Sequence, residues 1–229
     1  MGAPDDPVGD HPYISLPRLI RVCALTGRFD DCVAQADALW NRWQRAGSPP
    51  IEWMASAMSA VAMVHGLRND GLFSTWEARA LRVARSDDLA GAPWLIAPQL
   101  FAQARVAIHL GTFGDAADVV RRAFGELGEY WWAPYARAAA AELAVVADLP
   151  EATALLEAAA PLGAENDWAA ACLRRAEARR TGDLSVLAGA AAEFERVGAH
   201  FEWACTLALI PDRAAEARAE LAALHAPLP

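Results

Sequence analysis

The stretch WAAACLRRAEARRTGDLSVLAGAAAEFERVGAHF, Trp168 to Phe201, holds one full period of this chain. It opens on an aromatic, runs through small and apolar residues, and breaks at RTGDLS (Arg180–Ser185). It then resumes with Leu187, Ala191 and Phe194 at three- and four-residue spacing, which puts them on one stripe of a helix. The reading is helix, short turn, helix. On the first helix Trp168, Cys172, Leu173 and Ala176 share a face; Arg174, Glu177 and Arg180 fall away from it, and Arg179 lies near its edge. Arginine–glutamate pairs three residues apart support a solvated helix by roughly 0.2–0.5 kcal/mol each, and arginines near a helix C-terminus suit its dipole.

The same grammar recurs along the chain. The aromatics that open successive apolar helices are Tyr13, Trp53, Trp94, Trp131, Trp168 and Trp203, in steps of 40, 41, 37, 37 and 35 residues. Each such helix is followed by a turn: TGRFDD at Thr26, HGLRND at His65, LGTFGD at Leu110, ADLPEA at Ala147, RTGDLS at Arg180 and LIPDRA at Leu209. Local punctuation supports the pattern. Gly27, Gly111 and Gly182 stand where helices end. Ser48 before Pro49 reads as an N-cap, and Ser74 with Glu77 and Asp148 with Glu151 read as capping pairs. No segment alternates with period two, so no strand is expected.

Composition agrees. Alanine, the best helix former, makes up about a quarter of the 229 residues. All 20 basic residues are arginine, and the formal net charge is −9. An acidic chain is not set up for bulk nucleic-acid binding. Cys23, Cys32, Cys172 and Cys205 lack metal or redox spacing and sit in apolar helical contexts, so buried free thiols in a reducing cytoplasm are expected. The most apolar segment, Trp53–Val64, is too short to span a bilayer. The acidic, Pro/Gly-rich opening MGAPDDPVGDHP reads as a flexible tail over residues 1–12, with no secretory signal.

One helical pair cannot bury its own apolar face, whereas stacked pairs bury a continuous core. The expected architecture is therefore all-α: an α–α superhelix of about six helical hairpins over residues 13–226, with one concave side and a short last unit from His200.

Repeat length and turn pattern resemble a degenerate tetratricopeptide (TPR-like) solenoid, whose consensus unit is about 34 residues. The segment AAAEFERVGAHFEWACTLALI (Ala190–Ile210) is similar to a stretch in the C-terminal repeats of actinobacterial LuxR/MalT-type signalling ATPases and cyclase–ATPase regulators. The resemblance covers about Trp94 to Leu224, and implies a scaffold that senses ligands or partner proteins. The phosphate-binding loop of those regulators needs a lysine, which this chain lacks. No basic recognition helix follows AELAALHAPLP.

Candidate sites follow from what a helical array leaves over. In YWWAPYAR (Tyr130–Arg137), Trp131, Trp132 and Tyr135 cannot all face one core stripe, because adjacent positions diverge by about 100°. They and Trp94, Arg137, Arg174 and Arg175 are the candidate binding residues. The expected function is a non-catalytic protein-binding scaffold or regulatory module in bacterial signalling or transcription, using the concave face. The alternative is a small-molecule sensor with an aromatic pocket near Trp94 and Trp131. Expected partners are a protein or peptide, other domains of a larger regulator, or a second copy, with no cofactor, metal, membrane or direct nucleic acid. His65 and His109 occupy similar places near helix ends but lack a third metal ligand. FDDCVAQAD (Phe29–Asp37) and NDGLFSTWE (Asn69–Glu77) match the magnesium motifs of helical terpene synthases too poorly to argue for an enzyme, and no nucleophile–histidine arrangement is legible.

Overall fold

The computed structural model describes residues 12–88 and 91–229. The expected N-terminal tail lies, but for Pro12, outside the described residues. Among these, the chain is all-helical. Twelve α-helices follow one another: α1 (Pro12–Leu25), α2 (Phe29–Arg45), α3 (Ala55–Arg68), α4 (Phe73–Ala84), α5 (Ile96–Leu110), α6 (Ala116–Gly125), α7 (Ala133–Val146), α8 (Ala152–Ala159), α9 (Asp167–Thr181), α10 (Leu184–Arg196), α11 (His200–Leu207) and α12 (Ala214–Ala223). None of these is long and apolar enough to cross a membrane.

Each odd-numbered helix packs against the even-numbered helix after it, and α1, α3, α5, α7 and α9 lie side by side in a row. Every expected turn falls between the two helices of a pair. The row helices are covered on two sides, which explains their alanine content. From Ala55 to Leu67 every residue of α3 is buried, as is nearly every residue of α7 from Ala136 to Ala144. Small side chains let such helices approach closely while large ones fill the gaps.

The helix ends only partly follow expectation. Gly27, Gly111 and Gly182 do terminate helices with positive φ, where a side chain would be strained. Ser48 and Asp148 are not N-caps. Both have left-handed backbone (φ 55° and 53°) and close the preceding helices α2 and α7. Ser74 lies inside α4 and makes no cap bond, and Glu77 accepts instead from Gln103 on α5. Competition for tertiary partners overrides the local capping pattern there. The side-chain caps are Asn166, accepting from the Ala169 amide, and Asp183, accepting from the Ser185 and Val186 amides.

The row curls until its first hairpin meets its last. Arg21 of α1 stands over the Trp131 ring at 5.3 Å, ahead of α7. Phe29 meets Phe201 of α11 at 5.4 Å, and Arg68 donates to the Leu224 carbonyl, 156 positions away. The last hairpin departs from the repeat. Its helix α11 packs along α10 and α12, and its side chains turn inward to α5 and α9. The inner side of the curl is therefore partly filled by the chain itself.

Gly27 and Gly111 separate this closure from ordinary turn strain. Both have positive φ, but a Cβ at Gly27 would lie 3.0 Å from the Phe201 backbone nitrogen, whereas at Gly111 nothing lies within 4 Å. Gly111→Ala should cost about 1–2 kcal/mol from backbone strain. Gly27→Ala should cost a further ~1 kcal/mol or more from the contact. Urea unfolding of the two variants checks this, and equal losses would mean that the closure contact is absent.

Candidate functional site

Three row helices present one stripe each to the inner side, and each stripe carries an aromatic followed by a charge. On α5 these are Phe101 and Arg105, on α7 Tyr135 and Glu142, and on α9 Trp168 and Arg175, with Cys172 and Arg179 on the same stripe. Spacings of four and seven keep residues on one helical face. The inner side is thus built as an aromatic layer above an ionic layer.

The ionic layer is buried. Arg105 donates through Nη1 to Glu142 (2.8 Å) and through Nε and Nη2 to Glu202 of α11 (2.9 and 2.5 Å). Arg175 donates through Nε and Nη2 to Glu142 (2.6 and 2.8 Å), and through Nη2 to Glu202 (2.7 Å). Its Nη1 reaches the Glu202 carbonyl and the Thr206 hydroxyl. Arg179 adds a third cation, 3.3 Å from Glu142. Burial alone would push the Glu142 carboxyl up; Arg175, Arg105 and Arg179 overcome it and hold the group well below the usual carboxylate range. Burial works against charge on Arg105 and Arg175 too, and the two carboxylates outweigh it, raising both.

Beside this cluster, His109 of α5 packs edge-on against Phe201 at 5.0 Å, and Cys205 Sγ lies 3.7 Å from its Nδ1. Burial, then the positive field of Arg105, lowers the His109 pKa to about 4. Burial and Glu202 raise the Cys205 thiol to about 12. A protonated thiol beside a neutral, enclosed imidazole is a packed contact, since nucleophilic cysteines need the thiolate.

The aromatic layer is partly open. Phe101 touches Trp132, Tyr135 and Trp168 at ring separations of 5.2–5.8 Å, and Trp131 stands against Trp132 and Tyr135 at 4.9 and 5.7 Å. A cleft of about 720 Å³ opens here, with Val22 and Leu25 of α1 on one wall, Tyr135 and Trp168 on the other, and Val197 and Ala199 adjoining. The indole N–H of Trp168 is buried and has no acceptor.

The sequence candidates separate accordingly. Trp131 and Tyr135 belong to this open layer. Trp132 is buried beneath them, so it offers no free surface. Trp94 is half-buried in the turn before α5 and shares no ring contact with the cluster among the described residues. Arg137 donates to the Leu127 carbonyl and ties down the loop ahead of α7. The arginine run divides by helical phase. Arg175 is fully enclosed in the ionic cluster and is not a surface residue; Arg174 pairs outward with Glu193 and Arg180 with Glu177. The two histidines do not meet. His65 bonds Asp70 and stacks on Trp76, and no group of three potential metal ligands occurs among the described residues. The acidic motifs are engaged within the fold, Asp30 by Arg68, Asp31 by Arg28 and Asp70 by His65. Glu142 and Glu202, not among the sequence candidates, carry the geometry. The available signal was a carboxylate set among apolar residues, in AAAAELAVV for Glu142 and in FEWACTL for Glu202.

Comparison with protein-family models, with curated proteins and with solved structures finds no match for this chain.

Two tests follow from the ionic layer. Arg175→Ala leaves two buried carboxylates undercompensated and should cost about 3–5 kcal/mol, whereas Arg180→Ala, at an exposed and solvent-screened pair, should leave the denaturant midpoint nearly unchanged; denaturant midpoints compare them. His109, neutral in the fold down to about pH 4 against an ordinary 6.5, gives stability that is complete above pH 6.5 and falls as pH drops towards 4. Its loss amounts to roughly 3 kcal/mol. Urea midpoints across that range should lose this slope in His109→Gln.

Proposed function

We propose that this chain is a non-catalytic binding module that seats a segment of a partner protein in the cleft between α1, α7 and α9. The observation that carries this reading is an open cleft with exposed apolar and aromatic side chains on its walls and rim. Val22, 52% exposed, faces Tyr135 and Trp168 across the cleft, Trp131, 60% exposed, stands against Tyr135 beside it, and Glu165, Asp167 and Arg196 add charge to the lining. Contiguous exposed aromatics mark interaction surfaces. An open groove suits an extended or helical segment, while a small molecule is better served by an enclosed pocket.

The finer reading is a TPR-like repeat scaffold within cytoplasmic bacterial signalling or transcriptional control. It is supported by the chain of helical hairpins, by the resemblance of Ala190–Ile210, and by four buried free thiols. The inert Cys205–His109 contact and the engaged carboxylates support a non-catalytic role.

Panning a displayed peptide library against the chain tests the proposal. Peptides bearing aromatic and aliphatic anchors should be enriched. Val22→Asp and Trp131→Ala should each weaken them at least tenfold, with Leu184→Asp on α10 as the neutral control. Equal affinity for wild type and Val22→Asp, or no enrichment, would sink the cleft as the binding surface.

A further inference from the structure

Helix α11 lies on the inner side of the curl as a docked helix would. Its close helix neighbours are α10 and α12, next to it in sequence. It meets the row through Phe201 and Cys205 against His109, Glu202 between Arg105 and Arg175, and Thr206 against Arg175, and it meets α2 through Phe201 on Phe29. Without Glu202 the ionic layer would hold three guanidiniums, Arg105, Arg175 and Arg179, against the single carboxylate of Glu142. The emptied seat is two carboxylates short of balance, Glu202 supplies one of them, and an aromatic slot lies beside it.

From this we infer that α11 is the chain's own occupant of a helix-binding seat, and that a partner helix carrying an aromatic residue followed by a glutamate displaces it. The inference rests on the binding-module reading and adds a second surface to it. Charge complementarity chooses the occupant, because a neutral or basic helix would leave Arg105, Arg175 and Arg179 buried around the single carboxylate of Glu142. The two surfaces are continuous. Val197 and Ala199, which adjoin the open cleft, lead directly into α11 across Gly198, whose φ is +74°. A segment entering the cleft therefore bears on the hinge of α11. Release is physically accessible, because a buried ion cluster gains little net stability over its hydrated parts. The apolar hold is divided: Phe201, Ala204 and Cys205 of α11 and Leu221 of α12 join the main core, while Leu207 packs with Ala191 and Ala217 in a small cluster of its own.

Hydrogen exchange on the wild-type chain and binding of a labelled peptide spanning Ala199–Ile210 test this together. Amides of α11 and α12 should exchange at least tenfold faster than those of α3, α5 and α7. The peptide should bind the Glu202→Ala chain at least tenfold more tightly than wild type, and a peptide with Gln in place of Glu202 should bind at least tenfold more weakly than the native one. Exchange of α11 at the core rate, or no peptide binding to either chain, overturns the inference. A wild-type dimer by light scattering that exchanges α11 between copies also overturns it, by making a second copy the occupant. Val22→Asp separates the two surfaces, since it should abolish cleft peptides and leave exchange of α11 unchanged.

Discussion

The pairing of Arg105 and Arg175 with Glu142 and Glu202 is the constraint around which the inner side is arranged. Four row and inner helices, α5, α7, α9 and α11, each contribute one charge to it. An apolar contact tolerates sliding and rotation, whereas these forked guanidinium–carboxylate bonds require a particular helix register. Removing one partner leaves a charge that neither water nor a neighbour can satisfy. The cluster therefore does less to stabilise the chain than to specify how its hairpins stack and where α11 lies.

That arrangement divides the inner side by chemistry. One turn or two towards the helix starts, the same stripes carry Phe101, Tyr135 and Trp168, and there the side is open. The closed end is polar, directional and filled by α11; the open end sets the faces of Tyr135 and Trp168 beside Glu165, Asp167 and Arg196. A groove with these two properties can combine an adaptable apolar anchor with a strict demand for a carboxylate. Affinity and selectivity then come from different parts of one surface.

Much of this was legible before the fold was known. Periodicity placed every helix pair and every turn, because a helix that must bury one stripe writes that stripe into its sequence. Glycines with positive φ were legible for a similar local reason. Tyr135 and Trp131 were recognisable as surplus aromatics in YWWAPYAR. The exposure of one and the burial of Trp132 depend on which side Phe101 approaches. Arg175 was legible as a member of a basic run and misread as surface. Its burial depends on Glu142 and Glu202, 33 and 27 positions away.

By itself, then, the sequence determined that this chain is a series of helical pairs with buried thiols and an acidic exterior. Those properties rest on local spacing and composition. Only the tertiary structure decided that the row closes, that α11 turns inward, and which charges are buried. Each of these depends on contacts between residues far apart in the chain, such as Gly27 with Phe201 and Arg105 with Glu202, whose pairing leaves no periodic mark in the sequence.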